Sequence, residues 1–118
     1  MNRSRLTLAI LAAAVLAAPA LPQEGAAPSG AVAITAKRFE FEPAEIHLKA
    51  GEDATLAVTS QDVTHGFFSR PLGFDEELPP GKTVEVHVKP TNAGRYTVIC
   101  DHYCGSGHGG MKLTVVVE

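Results

Sequence analysis

The amino-acid sequence predicts an all-β protein, a small sandwich of antiparallel strands. Three observations point there. From Ala31 onward no stretch repeats with a helical period. Short runs of alternating polar and apolar residues take its place, which is the period of a strand with one buried face. Turn signals built on Gly, Pro and Asn separate the runs, as they do in sandwiches of about seven strands.

The elements justify themselves in order. Asn2-Arg3-Ser4-Arg5 is a positive start, Leu6 to Ala18 is apolar apart from Thr7, and Ala18-Pro19-Ala20 offers the small residues a signal peptidase reads. The apolar run is about 13 residues, whereas a spanning helix needs about 20. Residues 1–20 therefore read as an export signal, which would be a membrane anchor if it stayed uncleaved. Residues 21–30, LPQEGAAPSG, read as a flexible leader. The domain is 31–118. Its strand signals are Val32-Ala33-Ile34, Glu45 to Lys49, Thr55 to Thr59, Lys82 to Lys89, Arg95 to Cys100 and Lys112 to Glu118. The clearest is KTVEVHVK, with Val84, Val86 and Val88 on one face and Glu85 and His87 on the other. Ala50-Gly51, Pro79-Pro80-Gly81 and Asn92-Ala93-Gly94 punctuate them.

Charge excludes some partners. Without residues 1–20 the chain keeps eight basic residues against thirteen acidic ones, a net charge of about −5 with His neutral. Nucleic acid and anionic lipid both favour a basic surface, so neither is expected. No Ser/His/Asp set and no carboxylate pair in an apolar pocket is recognisable, so neither an enzyme nor a small-molecule substrate is expected. A core of this size has only a few kcal/mol to spare, and exported domains of this kind often add a disulfide or a metal.

The stretch CDHYCGSGHGGM, Cys100 to Met111, holds both cysteines of the chain, two histidines, a methionine and four glycines. A disulfide between Cys100 and Cys104 would close a very short loop and constrain the unfolded chain weakly. On a straight strand the two Cα atoms would lie about 13 Å apart, too far to bridge. A disulfide also leaves His108 and Met111 unexplained. A metal uses all of them. Thiolate, imidazole and thioether are soft to borderline donors that favour copper over calcium or magnesium, and methionine is a poor zinc ligand. Glycines let the backbone fold tightly around an ion. A further ligand is expected from elsewhere. His47 and His87 lie on the polar sides of their strands and read as solvated. His65 differs, because it follows Asp62-Val63-Thr64 and precedes the apolar pair Phe67-Phe68.

With these residues in view the chain resembles the copper A domain of cytochrome c oxidase subunit II, a cupredoxin. The likeness rests on Cys100-x₃-Cys104-Gly105-x₂-His108-x₂-Met111 and on Asp62-Val63-x-His65-Gly66-Phe67, with Leu78-Pro79-Pro80-Gly81 and Gly94-Arg95-Tyr96 between them. It covers about residues 31–118. The resemblance implies a Greek-key, cupredoxin-like β-sandwich and a dinuclear copper centre. In that centre Cys100 and Cys104 would bridge two copper ions, and His65 and His108 would each bind one. Met111 and the main-chain carbonyl of His102 would be weak axial ligands. The commonest pattern has Glu where His102 stands, and only the carbonyl is needed there.

The function so implied is electron transfer by an exported, periplasmic carrier, a monomer when free. Its partner would be a redox protein such as a cytochrome c or a terminal oxidase. Two alternatives stay open. One is a mononuclear cupredoxin, for which Cys104 would be redundant. The other is a copper chaperone or buffer that delivers metal to an oxidase.

Overall fold

The structure, a computed structural model, describes residues 13–14 and 30–118. The expected signal and leader fall almost wholly outside them. Nine strands form two facing sheets: β1 (Val32–Lys37), β2 (Glu40–Glu42), β3 (Glu45–Leu48), β4 (Ala54–Ser60), β5 (His65–Ser69), β6 (Phe74–Leu78), β7 (Thr83–Val88), β8 (Gly94–Ile99) and β9 (Lys112–Val117). One turn of 3₁₀-helix, His108–Gly110, interrupts the loop before β9. The four-stranded sheet has the order β2-β1-β4-β7 and the five-stranded sheet the order β3-β9-β8-β5-β6. Among the described residues no helix is long and apolar enough to cross a membrane.

The all-β sandwich is as expected, but two features differ. The described residues form nine strands where about seven were predicted. β2 has only three residues, β5 carries two phenylalanines in succession, and the middle of β6 is Asp75-Glu76-Glu77. β2 alternates but is too short to stand out, and neither β5 nor β6 shows the alternation that marks a strand in sequence. The sheets are also mixed rather than antiparallel. β1 runs parallel to β4, with Val32 opposite Leu56 and Ala36 opposite Ser60. β3 runs parallel to β9, with Glu45 opposite Thr114 and Leu48 opposite Val117. The cause is a crossover: after β1 and β2 the chain lays β3 in the second sheet, then returns to the first for β4. Strand order along the chain is thereby uncoupled from neighbourhood in the sheet.

Alternation decides what the sheets bury. Ile34, Ala36, Leu56, Val58, Val86 and Val88 point inward from the first sheet, and Ile46, Phe67, Val98, Leu113 and Val115 from the second. Glu85 and His87 are exposed, as their side of β7 predicts. Phe67 anchors the interior. Its ring stacks on Phe74 at 5.0 Å between centroids and meets Phe41 edge-on at 5.5 Å, the offset and T-shaped arrangements that aromatic quadrupoles favour. At the far end of the sandwich the Tyr96 phenol donates to the Asn92 carbonyl at 2.8 Å, fixing the turn into β8. At the near end β5 and β9 begin and β1, β4 and β8 stop, and their termini frame one loop cluster.

Candidate metal centre

β8 delivers Cys100 at its end, and the following loop returns to β9 at Lys112. The Cys100 amide donates to the Met111 carbonyl at 3.2 Å and closes the base of that loop. The 3₁₀ turn inside it, held by Met111 N–H to the His108 carbonyl at 3.1 Å, sets His108 and Met111 on successive turns of backbone. β5 begins with His65, whose side chain is fully buried. A histidine opening a strand is thus aimed into the loop by the same pleat that aims Phe67 into the core.

All six residues singled out in the sequence meet here. The two thiols, both free, lie 3.8 Å apart. Cys100 Sγ is 3.9 Å from His65 Nδ1 and 3.1 Å from the His102 carbonyl oxygen. Cys104 Sγ is 3.7 Å from His108 Nδ1 and 4.0 Å from Met111 Sδ. The donor atoms of His65, Cys100 and Cys104 all fall within 4.8 Å of one another. The His102 side chain points the other way, half-exposed and 4.0 Å from Glu77. His47 and His87 stay outside on the surface, paired with Glu118 and Glu85.

Asp62 lies behind His65. Its Oδ1 accepts from His65 Nε2 at 2.7 Å. With Nε2 occupied as a donor, the neutral ring presents an unprotonated Nδ1 to Cys100, the form a metal ligand requires. Partial burial works against the Asp62 charge, yet the backbone amides of Arg38 and Val63 and the His65 ring hold its carboxyl down at about 2. Cys104 is shifted the other way. Burial, then the neighbouring Cys100 thiol, pushes it up to about 11, and the Arg38 guanidinium only partly offsets this. Burial, then a hydrogen bond with Asp75, also raises the Asp101 carboxyl beside the loop.

Close approach explains Gly66. A side chain there would run into Asp101 Oδ1 and come within 2.8 Å of the backbone nitrogens of Asp101 and His102. Without a side chain, Gly66 lets the loop lie on β5 and donates its amide to Cys100 Sγ at 3.3 Å. Sequence reasoning did not find two contributors, Arg38 and Phe39 in the β1–β2 turn. Arg38 Nε donates to the Cys104 carbonyl across 66 positions of sequence, and nothing local in the sequence signals that contact.

A β-sandwich that presents a Cys/His/Met loop between its last two strands defines a cupredoxin-like domain. The cupredoxin-like domain family matches residues 6–115, and the chain belongs to that family. Cytochrome c oxidase subunit 2 of Thermus thermophilus is 34% identical over 87 residues, 74% of this chain and 64% of that subunit, so the chain spans less than two thirds of that relative. One chain of a heme-copper terminal oxidase dimer solved by electron cryo-microscopy superposes with a TM-score of 0.68 at 28% identity, over 75% of this chain and 66% of that one. The periplasmic domain of subunit II of the Bradyrhizobium japonicum cytochrome oxidase superposes with a TM-score of 0.69 over 76% of this chain and 84% of that one. At 19% identity the latter is a likeness of fold.

Proposed function

We propose that this chain is an exported electron carrier in which His65, Cys100, His102, Cys104, His108 and Met111 hold two copper ions in a centre of the copper A kind. The pairing of donors carries this reading. Two thiols 3.8 Å apart each have an imidazole of their own, and each has one further donor, Met111 sulfur or His102 carbonyl. One such set serves one ion, and two sets joined at their thiols serve two. The donor types suit copper, being soft sulfur with imidazole. When bound, the copper pair supplies a centre that takes up and returns one electron.

The residues of the chain do the rest. Cys100 and Cys104 surrender protons and offer thiolates to the metal. Asp62 fixes the His65 tautomer and ring orientation. His65, Cys100, Cys104 and Met111 are buried, which keeps water from the donors, so little around them must rearrange as charge changes. Protein donors surround the position on every named side, which supports a carrier over a catalyst that must admit a substrate. Oxidase subunits among the relatives support a redox partner such as a cytochrome c or a terminal oxidase. Residues 1–20 serve as the export signal, residues 21–30 as the leader, and the carrier works in the periplasm.

The deciding experiment is electron paramagnetic resonance of the copper-loaded, oxidised protein, with copper counted per chain. Two copper ions and a hyperfine pattern of one electron shared by two nuclei are expected, both lost in Cys104→Ser. One copper and a single-nucleus pattern in the wild type would overturn the dinuclear reading. Rapid transfer of the copper to an apo-acceptor would replace the carrier with a delivery protein.

A further inference from the structure

We propose that Arg38 is a positioning residue, which clamps the ligand loop to the His65 segment and so holds the two halves of the centre in register. The inference rests on the reading of that loop as a copper site.

Arg38 reaches both halves at once. Its backbone amide donates to Asp62 Oδ2 at 2.8 Å, and Asp62 Oδ1 takes His65 Nε2 at 2.7 Å. Its side chain turns the other way, where Nε donates to the Cys104 carbonyl at 3.2 Å in a partly buried position. One residue therefore fixes the carboxylate that orients the first imidazole and the backbone that carries the second thiol. The next residue reinforces it. The Phe39 ring lies flush on the loop, so near that a Cβ at Gly105 would come within 2.8 Å of it and one at Gly107 within 2.5 Å. Gly105 also has φ +139, a conformation side chains rarely adopt. Two of the loop's glycines are thus explained by the turn that covers them rather than by the ion.

A planar guanidinium holds a carbonyl at a set angle in a way a lysine ammonium on a flexible stem cannot. The choice of arginine therefore matters through its directed N–H and not only its charge. Losing one such hydrogen bond changes a local opening equilibrium by about fivefold, and losing a partner that orients metal ligands weakens metal binding by about 10- to 100-fold.

The test uses the full mature chain with Arg38→Met and Arg38→Lys, and Arg95→Met as a control, since Arg95 pairs with Glu45 on the outer face of the sheet. The first readout needs no copper: the rate at which iodoacetamide alkylates the buried thiols of the reduced apo-protein. About fivefold faster alkylation in both Arg38 variants, with Arg95→Met unchanged, is expected. The second is copper retention against a chelator, with the position of the thiolate-to-copper absorption band. Both should shift in the Arg38 variants. If Arg38→Lys matches the wild type, charge and not the clamp is at work, and the proposal fails. It fails equally if the variants lose melting temperature while thiol reactivity and the absorption band stay put. A wild type that binds no copper would instead sink the copper reading, and the alkylation rates would still decide the clamp.

Discussion

At the scale of single residues, the proposed copper site makes Cys104 the group that sets the chemistry of loading. Its thiol is pushed up to about 11, first by burial and then by Cys100, so at neutral pH it carries a proton that a metal must displace. Apparent copper affinity should therefore climb with pH, by about tenfold per pH unit for this one proton, until the thiol ionises unaided. Competition titrations at several pH values would show it, and a flat profile would mean that Cys104 is not a ligand. The same shift has a consequence for the apo-protein. A pKa raised in the folded state favours the folded state while the unfolded thiol is still protonated. That stability is intact below about 9 and drains away between about 9 and 11, where the unfolded thiol ionises first. Urea unfolding of the apo-protein across that range, compared with Cys104→Ser, would measure it. The candidate ligands of the loop were legible at this scale because Cys, His and Met rarely crowd together by chance, while His65 and the His102 carbonyl were named through the family resemblance. Arg38 was not, since an arginine on a turn looks like any solvated cation until the fold brings Cys104 to it.

At the scale of elements, β5 decides whether the loop can seat. Gly66→Ala places a methyl against Asp101 and the backbone nitrogens of Asp101 and His102. Asp101 can swing aside, but the backbone can yield only if the loop moves. The change should cost about 1–3 kcal/mol, the usual range for overpacking, and should lengthen the contact between the residue-66 amide and Cys100. Denaturant unfolding with copper counted per chain would test it. Wild-type stability with full copper would show that the loop does not need this approach. β5 was not legible as a strand, because His-Gly-Phe-Phe-Ser has no alternation to detect. β6 hid for the opposite reason, with three acids on an edge strand that faces solvent on most of its length. β7, with clean alternation on a half-buried face, was legible to within one residue at each end.

At the scale of the whole molecule, the core and the centre are one structure. Cys100, Cys104 and Met111 belong to the same buried cluster as Phe67, Val98 and Leu113. Phe67→Ala removes a ring packed against Phe41 and Phe74 and should cost about 3–5 kcal/mol. Domains of this size hold about 5–15 kcal/mol in all. The variant should therefore unfold at much lower denaturant and bind copper more weakly, since β5 carries both Phe67 and His65. A variant with normal unfolding would separate core from site. The sandwich was legible from strand alternation and turn spacing, but its parallel pairings were not. Alternation says which face of a strand is buried and is silent on which strand lies beside it, and the crossover after β2 is a property of the assembled sheets.

The place of β9 between β3 and β8 also sets an order of events. His65 and Cys100 stand 35 positions apart, and the base of the ligand loop is closed only when β9 docks beside β8. A chain that emerges from its N-terminus completes this cradle only after β9 has emerged. Contacts so remote in sequence form slowly, because loop closure must be paid before they reward it. Metal is then a late passenger received by a finished fold, not the seed around which the fold gathers. Until it arrives, two reduced sulfurs wait side by side, and how long they stay reduced becomes a matter of timing.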